Sequence, residues 1–311
     1  MNLKLTSLTL AMLVALSLSG CSSKEEQAAK QADSAAKAAV AASATSPQAA
    51  IESTAKNMRA GNLQAIVEST VPPQYLEQVR AKWTAKMQAE PITDADRAEF
   101  KTSLEKFTAP DAEQKMWAEL EPVLTQKRAE IEAQKPMMIG IGRGVLASGV
   151  QQREDLNEGQ KQQVLAAVDA FAKWAESAQF TDPALAQKSI GVMCKTAREL
   201  DLQSLDAVHA LSFEQALAKG DIAFRGVKQL LDVYGFSLDQ VFDSVKTELV
   251  SNAGDSAKVK VSYQMLGQPL DFETDMVRFD GRWYGKESLN NLQKEAAEGK
   301  LAADKGPEAN G

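Results

Sequence analysis

From Ile51 to about residue 240 the apolar residues recur three and four positions apart, which is the spacing of amphipathic helices. Ile51, Met58, Leu63 and Ile66 carry this pattern at the beginning of the region, and Gly61-Asn62 interrupts it. Glycine and asparagine are typical of helix ends and helix starts. The pattern therefore predicts one helix before this pair and another after it, with a further break at Pro72-Pro73.

Two stretches of the helical region resemble each other. Residues 92–107 and 156–171 share a capping residue (Thr93 or Asn157), a following acid and the same apolar spacing. Each is followed by a segment that shares Thr, Pro, Gln and Lys in register, at 108–115 and 181–188. Thr before a Pro in the first turn is typical of a helix start. The chain is therefore predicted to contain two helical hairpins of one kind.

After Val241 the apolar period changes to strict alternation, which predicts four short strands. Asp280-Gly281 is a strong signal for a two-residue hairpin turn. The alternation favours pairing the second and third strands with Met265 opposite Leu270 and Tyr263 opposite Phe272. The other face of these strands then places lysines beside carboxylates, as on a solvated surface. A slip of one residue would place valines opposite carboxylates instead.

The last hairpin puts apolar residues on a face that is otherwise polar. With Asp280-Gly281 as the turn, Trp283 joins the core face, whereas Val277, Phe279 and Tyr284 lie on the other. Such an apolar patch needs a cover. Two covers are considered: a returning helix or C-terminal segment of this chain, or a bound partner or ligand. These three residues are the predicted binding patch.

The first 21 residues have the organisation of a secretory signal. Lys4 precedes an apolar run from Leu5 to Leu18, which is shorter than the roughly 20 residues that span a bilayer. Leu18-Ser19-Gly20-Cys21 resembles the lipobox of bacterial lipoproteins. That resemblance implies cleavage between Gly20 and Cys21 and acylation of Cys21. Serine after the cysteine implies the outer membrane, with the protein facing the periplasm.

These patterns predict an α+β lipoprotein: a mostly helical body with duplicated hairpins, followed by a small four-stranded antiparallel meander. The predicted segments are a signal peptide at 1–20, an acylated cysteine with an alanine-rich tether at 21–50 and a helical region at 51–240. A sheet at 241–290 packs on the helices, and 291–311 is a disordered tail. The tether composition lacks the apolar residues that independent folding needs.

Composition excludes several functions. The formal net charge of −7 gives no long-range attraction to nucleic acid or to anionic lipid. No later apolar run approaches the length of a membrane span, so the lipid is the only predicted membrane attachment. With Cys21 acylated, Cys194 has no disulfide partner and is interpreted as a buried thiol. His209 is the only histidine, so no histidine cluster can bind metal, and its helical setting does not indicate catalysis. We predict no catalytic residue, no metal site and no cofactor.

One glycine motif needs a separate interpretation. Gly142-x-Gly144-x-x-Ala147 fits a dinucleotide-binding pattern, but Pro136 stands just ahead, where a strand would be required. Close helix packing or a glycine-rich bend is the better interpretation of these residues.

The hairpin "VRFDGRWYGKE" and the helices before it, over residues 195–287, resemble NTF2-like domains of bacterial lipoproteins. The resemblance implies a cone-shaped fold around a pocket. The leading hypothesis is a non-catalytic, lipid-anchored envelope protein that binds a protein partner or a small apolar ligand. The alternatives are a periplasmic envelope-modifying hydrolase and a periplasmic chaperone-like protein.

Overall fold

The helical pattern extends further toward the N-terminus than Ile51. The structure is a computed structural model that describes residues 22–89, 91–153, 156 and 158–298. Within these residues the chain forms twelve helices and a four-stranded sheet, an α+β fold. The helices are α1 (Ser22–Thr45), α2 (Pro47–Ala60), α3 (Leu63–Thr70), α4 (Pro73–Ala89), α5 (Asp94–Thr108), α6 (Ala112–Gln151), α7 (Glu158–Ser177), α8 (Pro183–Leu200), α9 (Leu205–His209), α10 (Phe213–Val233), α11 (Leu238–Asp243) and α12 (Lys286–Ala297). None of the described helices combines the length and apolarity that crossing a bilayer requires.

The helix boundaries follow local capping chemistry. Gly61 ends α2 in the left-handed region (φ 69°), and the Asn62 side chain accepts a hydrogen bond from the Ala65 N–H to begin α3. Thr93 caps α5 in a reciprocal arrangement with Asp96. These predicted boundaries are confirmed. The second predicted cap, Asn157, lies outside the described residues.

The alanine-rich segment packs on the body over part of its length. Ala36 and Ala39 of α1 are fully buried against Ala65 of α3, and α1 also contacts α2 and the last strand. Alanine has no long side chain to hold the helix axes apart, so α1 can approach closely. The predicted boundary between tether and body at residue 51 therefore differs from the structure, in which α1 belongs to the packed body.

The two similar stretches form helices, but they do not form equivalent hairpins. Helix α6 has 40 residues and α8 has 18. Helix α6 packs on both α7 and α8, and α5 packs on α8. Asp182 caps α8 in place of Thr181, and α6 begins after Asp111. The prediction of duplicated hairpins is therefore too specific, because short-range spacing does not encode which helices pack together.

The glycine motif lies inside α6, which continues through Pro136 to Gln151. A Cβ atom added at Gly140, Gly142 or Gly144 would meet nothing within 4 Å. The helix continues through these glycines, so they do not form a bend. They also meet no other helix among the described residues, so close packing within this part of the chain does not explain them.

The strands are β1 (Lys246–Ala253), β2 (Ser256–Met265), β3 (Gln268–Phe279) and β4 (Arg282–Gly285), paired in sequence order and antiparallel. The predicted β2–β3 register is wrong by two residues: Tyr263 lies opposite Leu270, and Val261 opposite Phe272. The cause is a two-residue turn at Leu266-Gly267, where both φ angles are positive (53° and 77°). A shift of two residues preserves the faces, so the predicted division into core and solvent faces is confirmed.

The two faces of the sheet differ in kind. The core face contributes Ala257, Val259, Val261, Met276 and Trp283 to a cluster that packs on Ala50 of α2. On the opposite face the lysines and carboxylates pair, with Lys260 Nζ at 2.5 Å from Asp271 and Lys258 Nζ at 3.4 Å from Glu273. These exposed pairs keep the face soluble and add little stability.

The chain continues past the sheet as helix α12, which packs on β3, β4 and α4. Its Leu289 is buried. The predicted start of the tail at residue 291 falls within this helix, and residues 299–311 lie outside the described part of the chain.

The packing of α1 yields a stability test. Ala39→Glu places a carboxylate at a buried site without a partner and should lower the free energy of unfolding by about 2–4 kcal/mol. Ala38→Glu, at the exposed neighbouring position of the same helix, should change it by less than about 0.5 kcal/mol. Urea denaturation of both variants measures the difference. Equal effects would mean that α1 does not pack on the body in solution.

Candidate apolar binding cleft

A cleft of about 410 Å³ lies between helix α2 and the core face of the sheet. Ile51 and Met58 of α2 form one wall, Val261 and Phe272 of the sheet form another, and Phe242 of α11 also lines it. Apolar side chains dominate these walls. A concave, mostly apolar cavity of this size has the character of a small-ligand site.

Local sequence rules put these side chains on facing surfaces. Ile51, Ala55 and Met58 recur at helical spacing, so they share one side of α2. Alternation along the strands sends Val261 and its direct partner Phe272 to the same face of the sheet. Ala55 contributes only a methyl group to the helix wall of the cleft.

The polar side-chain atoms of the cleft are mostly hydroxyls, together with the indole N–H of Trp283. Thr54 donates to the carbonyl oxygen of Ala50 (3.0 Å), and Thr70 donates to that of Ile66 (2.7 Å), so both serve their own helices. The Tyr263 hydroxyl makes no hydrogen bond with the part of the chain that the structure describes, and burial raises the pKa of this phenol. Tyr263 is therefore the polar group most available to a bound molecule.

No charged side chain lines the cleft among the described residues. An ion placed there would lose its hydration without gaining a partner, which costs several kcal/mol. The cleft therefore suits an uncharged, apolar molecule with at most a few hydrogen-bonding atoms.

A second depression of about 570 Å³ lies between α7 and the β2–β3 turn. Its lining includes Lys173, Gln240, Gln264 and Gln268 beside Trp174, so it is largely polar. Its polar lining offers little apolar area for binding, and the apolar cleft is therefore the better candidate.

The structure divides the predicted binding patch: Tyr284 contributes to the lining of the cleft, whereas Val277 and Phe279, which alternate to the other face of β3, do not. Tyr284 is only 2% exposed, and Val277 and Phe279 are half-buried. Helices α1 and α12 contact β4, so the chain itself supplies the cover, which was one of the two alternatives. The Arg282 guanidinium lies 5.9 Å from the centre of the Tyr284 ring. The buried Tyr284 hydroxyl has no hydrogen-bond partner among the described residues.

The titratable groups considered outside the cleft make hydrogen bonds within the fold or are buried in it. His209 Nδ1 lies 3.0 Å from the carbonyl oxygen of Met87. Burial raises the pKa of Asp221 to about 6, but this carboxylate accepts the Leu63 N–H at the start of α3, outside the cleft. Cys194 is free and fully buried, as predicted, and burial raises the pKa of its thiol. Among the described residues, no group of three His, Cys, Asp or Glu side chains is placed to hold a metal ion.

Gly20 and Cys21, the predicted cleavage and acylation sites, lie outside the described residues. Comparison of the chain with protein-family models, with curated proteins and with solved structures finds no match. The lipobox and the NTF2-like resemblance therefore remain predictions.

The resemblance to NTF2-like domains implies a pocket, but the residues on the walls of this cleft were not predicted from the sequence, apart from Tyr284. Periodicity identified the apolar side of α2 and the apolar face of the sheet separately. The mixture of large and small residues on α2, with Ala55 between Ile51 and Met58, was the available signal that the two surfaces do not fill the space between them.

The Tyr284 hydroxyl gives the test of this region. Tyr284→Phe removes a buried polar atom that has no partner, so the free energy of unfolding should stay the same or rise by up to about 1 kcal/mol. Chemical denaturation of the two proteins is the measurement. A loss of more than about 1 kcal/mol would contradict the expectation and indicate a hydrogen-bond partner in the rest of the chain.

Proposed function

We propose that this chain is a lipid-anchored, non-catalytic protein of the cell envelope that binds a small apolar ligand in the cleft beneath its sheet. The anchor is the acylated Cys21, and the location is the outer membrane on its periplasmic side. The observation that carries the ligand proposal is an uncharged, mostly apolar cleft of about 410 Å³ with a hydroxyl at Tyr263.

The N-terminal geometry supports a close association between anchor and body. Helix α1 begins at Ser22, the residue after Cys21, and its later part packs on the body. A helix of 24 residues is about 36 Å long. The anchor therefore lies within about this distance of the packed end of α1, and the cleft stays near the bilayer surface, where apolar molecules are concentrated.

Filling the cleft tests the ligand proposal. In Ala55→Phe the added ring projects into the cleft and should weaken binding of the uncharged fluorophore N-phenyl-1-naphthylamine by about tenfold or more. Ala60→Phe adds the same ring at an exposed position on the same helix and should leave binding unchanged. Fluorescence titration gives both affinities. Absence of binding by the unmodified protein, or equal weakening in both variants, would refute the ligand site.

The anchor is tested separately. Cys21→Ala should abolish palmitate labelling and release the protein from membranes after a high-salt wash, because the sulfur that carries the acyl chains is gone. Cys194→Ala should keep both properties, because that thiol is buried. Labelled fatty acid and membrane fractionation report the outcome. Retention of the Cys21→Ala protein in the washed membranes would show that acylation is not the attachment.

A further inference from the structure

The distal part of α6, residues 137–150, has two apolar sides. One side packs on α7 through the half-buried Ile139, Ala147 and Val150. Arg143 Nε pairs with Asp169 of α7 at 2.7 Å, and Lys135 Nζ donates to the carbonyl oxygen of Ala178 at 3.1 Å. These contacts fix α7 antiparallel to α6. We call the paired parts of the two helices, residues 135–151 of α6 and 158–169 of α7, the arm.

The other side of the arm helix is apolar and uncovered. Its large residues are between 61 and 68% exposed: Met137, Met138, Ile141 and Val145. We call these four residues the arm ridge. Leu146 lies seven residues after Ile139, at the border of the side that faces α7. On the same side of α6, one to three turns earlier, stand Lys127, Glu130 and Gln134, which bond to one another. From Lys127 to Gln134 this side is therefore polar, and it becomes apolar where the arm begins.

The glycines beside the ridge make no close packing contact with the described part of the chain. Gly140, Gly142, Gly144 and Gly149 each face open space. Glycine within a helix is less stable than alanine at the same position. Elsewhere in this protein a helix glycine permits close packing: a Cβ at Gly226 would lie 2.5 Å from Thr196 Cγ2. The arm glycines would permit the same close approach, but no neighbour among the described residues makes it.

We propose that the arm ridge is a self-association surface, and that it packs against the arm ridge of a second copy of this chain. A ridge of large side chains bordered by glycine grooves is complementary to itself, because the ridge of one helix can enter the groove of the other. The surface carries no charge, so two copies meet without repulsion there. A two-fold contact of this kind is the common form of homodimer.

The arm ridge does not have the character of a bilayer-binding surface. Helices that lie on membranes combine an apolar side with basic residues and aromatic anchors. The arm ridge has no aromatic residue, and the basic residues of α6 in the arm, Lys135 and Arg143, bond to the Ala178 carbonyl oxygen and to Asp169. Glycine grooves do not improve the packing of flexible lipid tails, whereas they allow a second helix to approach the backbone closely.

The size of the surface predicts the strength of the contact. Fourteen helical residues extend over about 20 Å, and four side chains offer on the order of a few hundred Å². Stable soluble dimers bury about 800 Å² on each partner. The dimer is therefore expected to be weak in dilute solution and to form where the chain is concentrated, as on a membrane surface.

Cysteine cross-linking of the whole chain in cell envelopes, and of the purified protein at high concentration, tests the contact. Ile141→Cys or Val145→Cys should give disulfide-linked dimers, because both residues lie on the arm ridge. Gln134→Cys, on the same side of α6 but in its polar part, should give about tenfold less. Buried Cys194 does not compete. Absence of dimers in both ridge variants under both conditions overturns the proposal.

A groove-filling variant separates specific self-association from non-specific hydrophobic association. Gly144→Leu adds apolar surface in open space, so the thermal stability of the monomer should not fall. If two helices pack, the added side chain blocks the groove and reduces cross-linking of Val145→Cys about tenfold. Ala133→Leu, an exposed position in the polar part of α6, should leave it unchanged. Unchanged or increased cross-linking with Gly144→Leu overturns the proposal, and increased binding to phosphatidylcholine vesicles would identify lipid as the occupant.

Discussion

The contact between helix α2 and the core face of the sheet is the interaction on which the rest of the structure depends. Val259 and Val261 are buried in the sheet, and Ala50 of α2 packs against the same cluster. A small sheet with one solvated, ion-paired face cannot be stable alone, so it needs this helix to bury its apolar face. Helix α2 also contacts α1 and α3, its neighbours in the chain, and α11. The sheet is therefore connected to these three helices through α2. The cleft is the part of this interface that side chains leave unfilled.

The N-terminal packing links the fold to the proposed attachment. A separate, extended tether would let the body move far from the bilayer, whereas the packed α1 limits the distance between the body and the start of that helix at Ser22. The buried alanines Ala36 and Ala39 are therefore as important to the proposed orientation as the cysteine itself. The same composition that argued against independent folding suits a helix that packs closely on an existing surface.

The cleft and the arm ridge are both apolar and unfilled in the part of the chain that the structure describes, and they differ in shape. The cleft is concave and has a hydroxyl at Tyr263, so it suits a small molecule. The arm ridge is convex, uncharged and bordered by Gly140 and Gly144, so it suits another helix. A small ligand cannot bury a convex ridge, and a helix cannot enter a cleft of about 410 Å³. The two proposals are therefore independent, and either can fail without the other.

The sequence by itself determined what depends on neighbouring residues: the helix break at Gly61-Asn62, the turn at Asp280-Gly281 and the division of the strands into two faces. Capping, turn dihedral angles and alternation act over a few residues, so they can be read directly. The tertiary structure decided the rest: the packing of α1, the unequal helix pairs of the similar stretches, the cover over Tyr284 and the cleft. These features depend on which distant surfaces meet and on how well their side chains fill the space between them. A single sequence specifies such contacts only through the whole fold, so a pattern of neighbouring residues cannot reveal them.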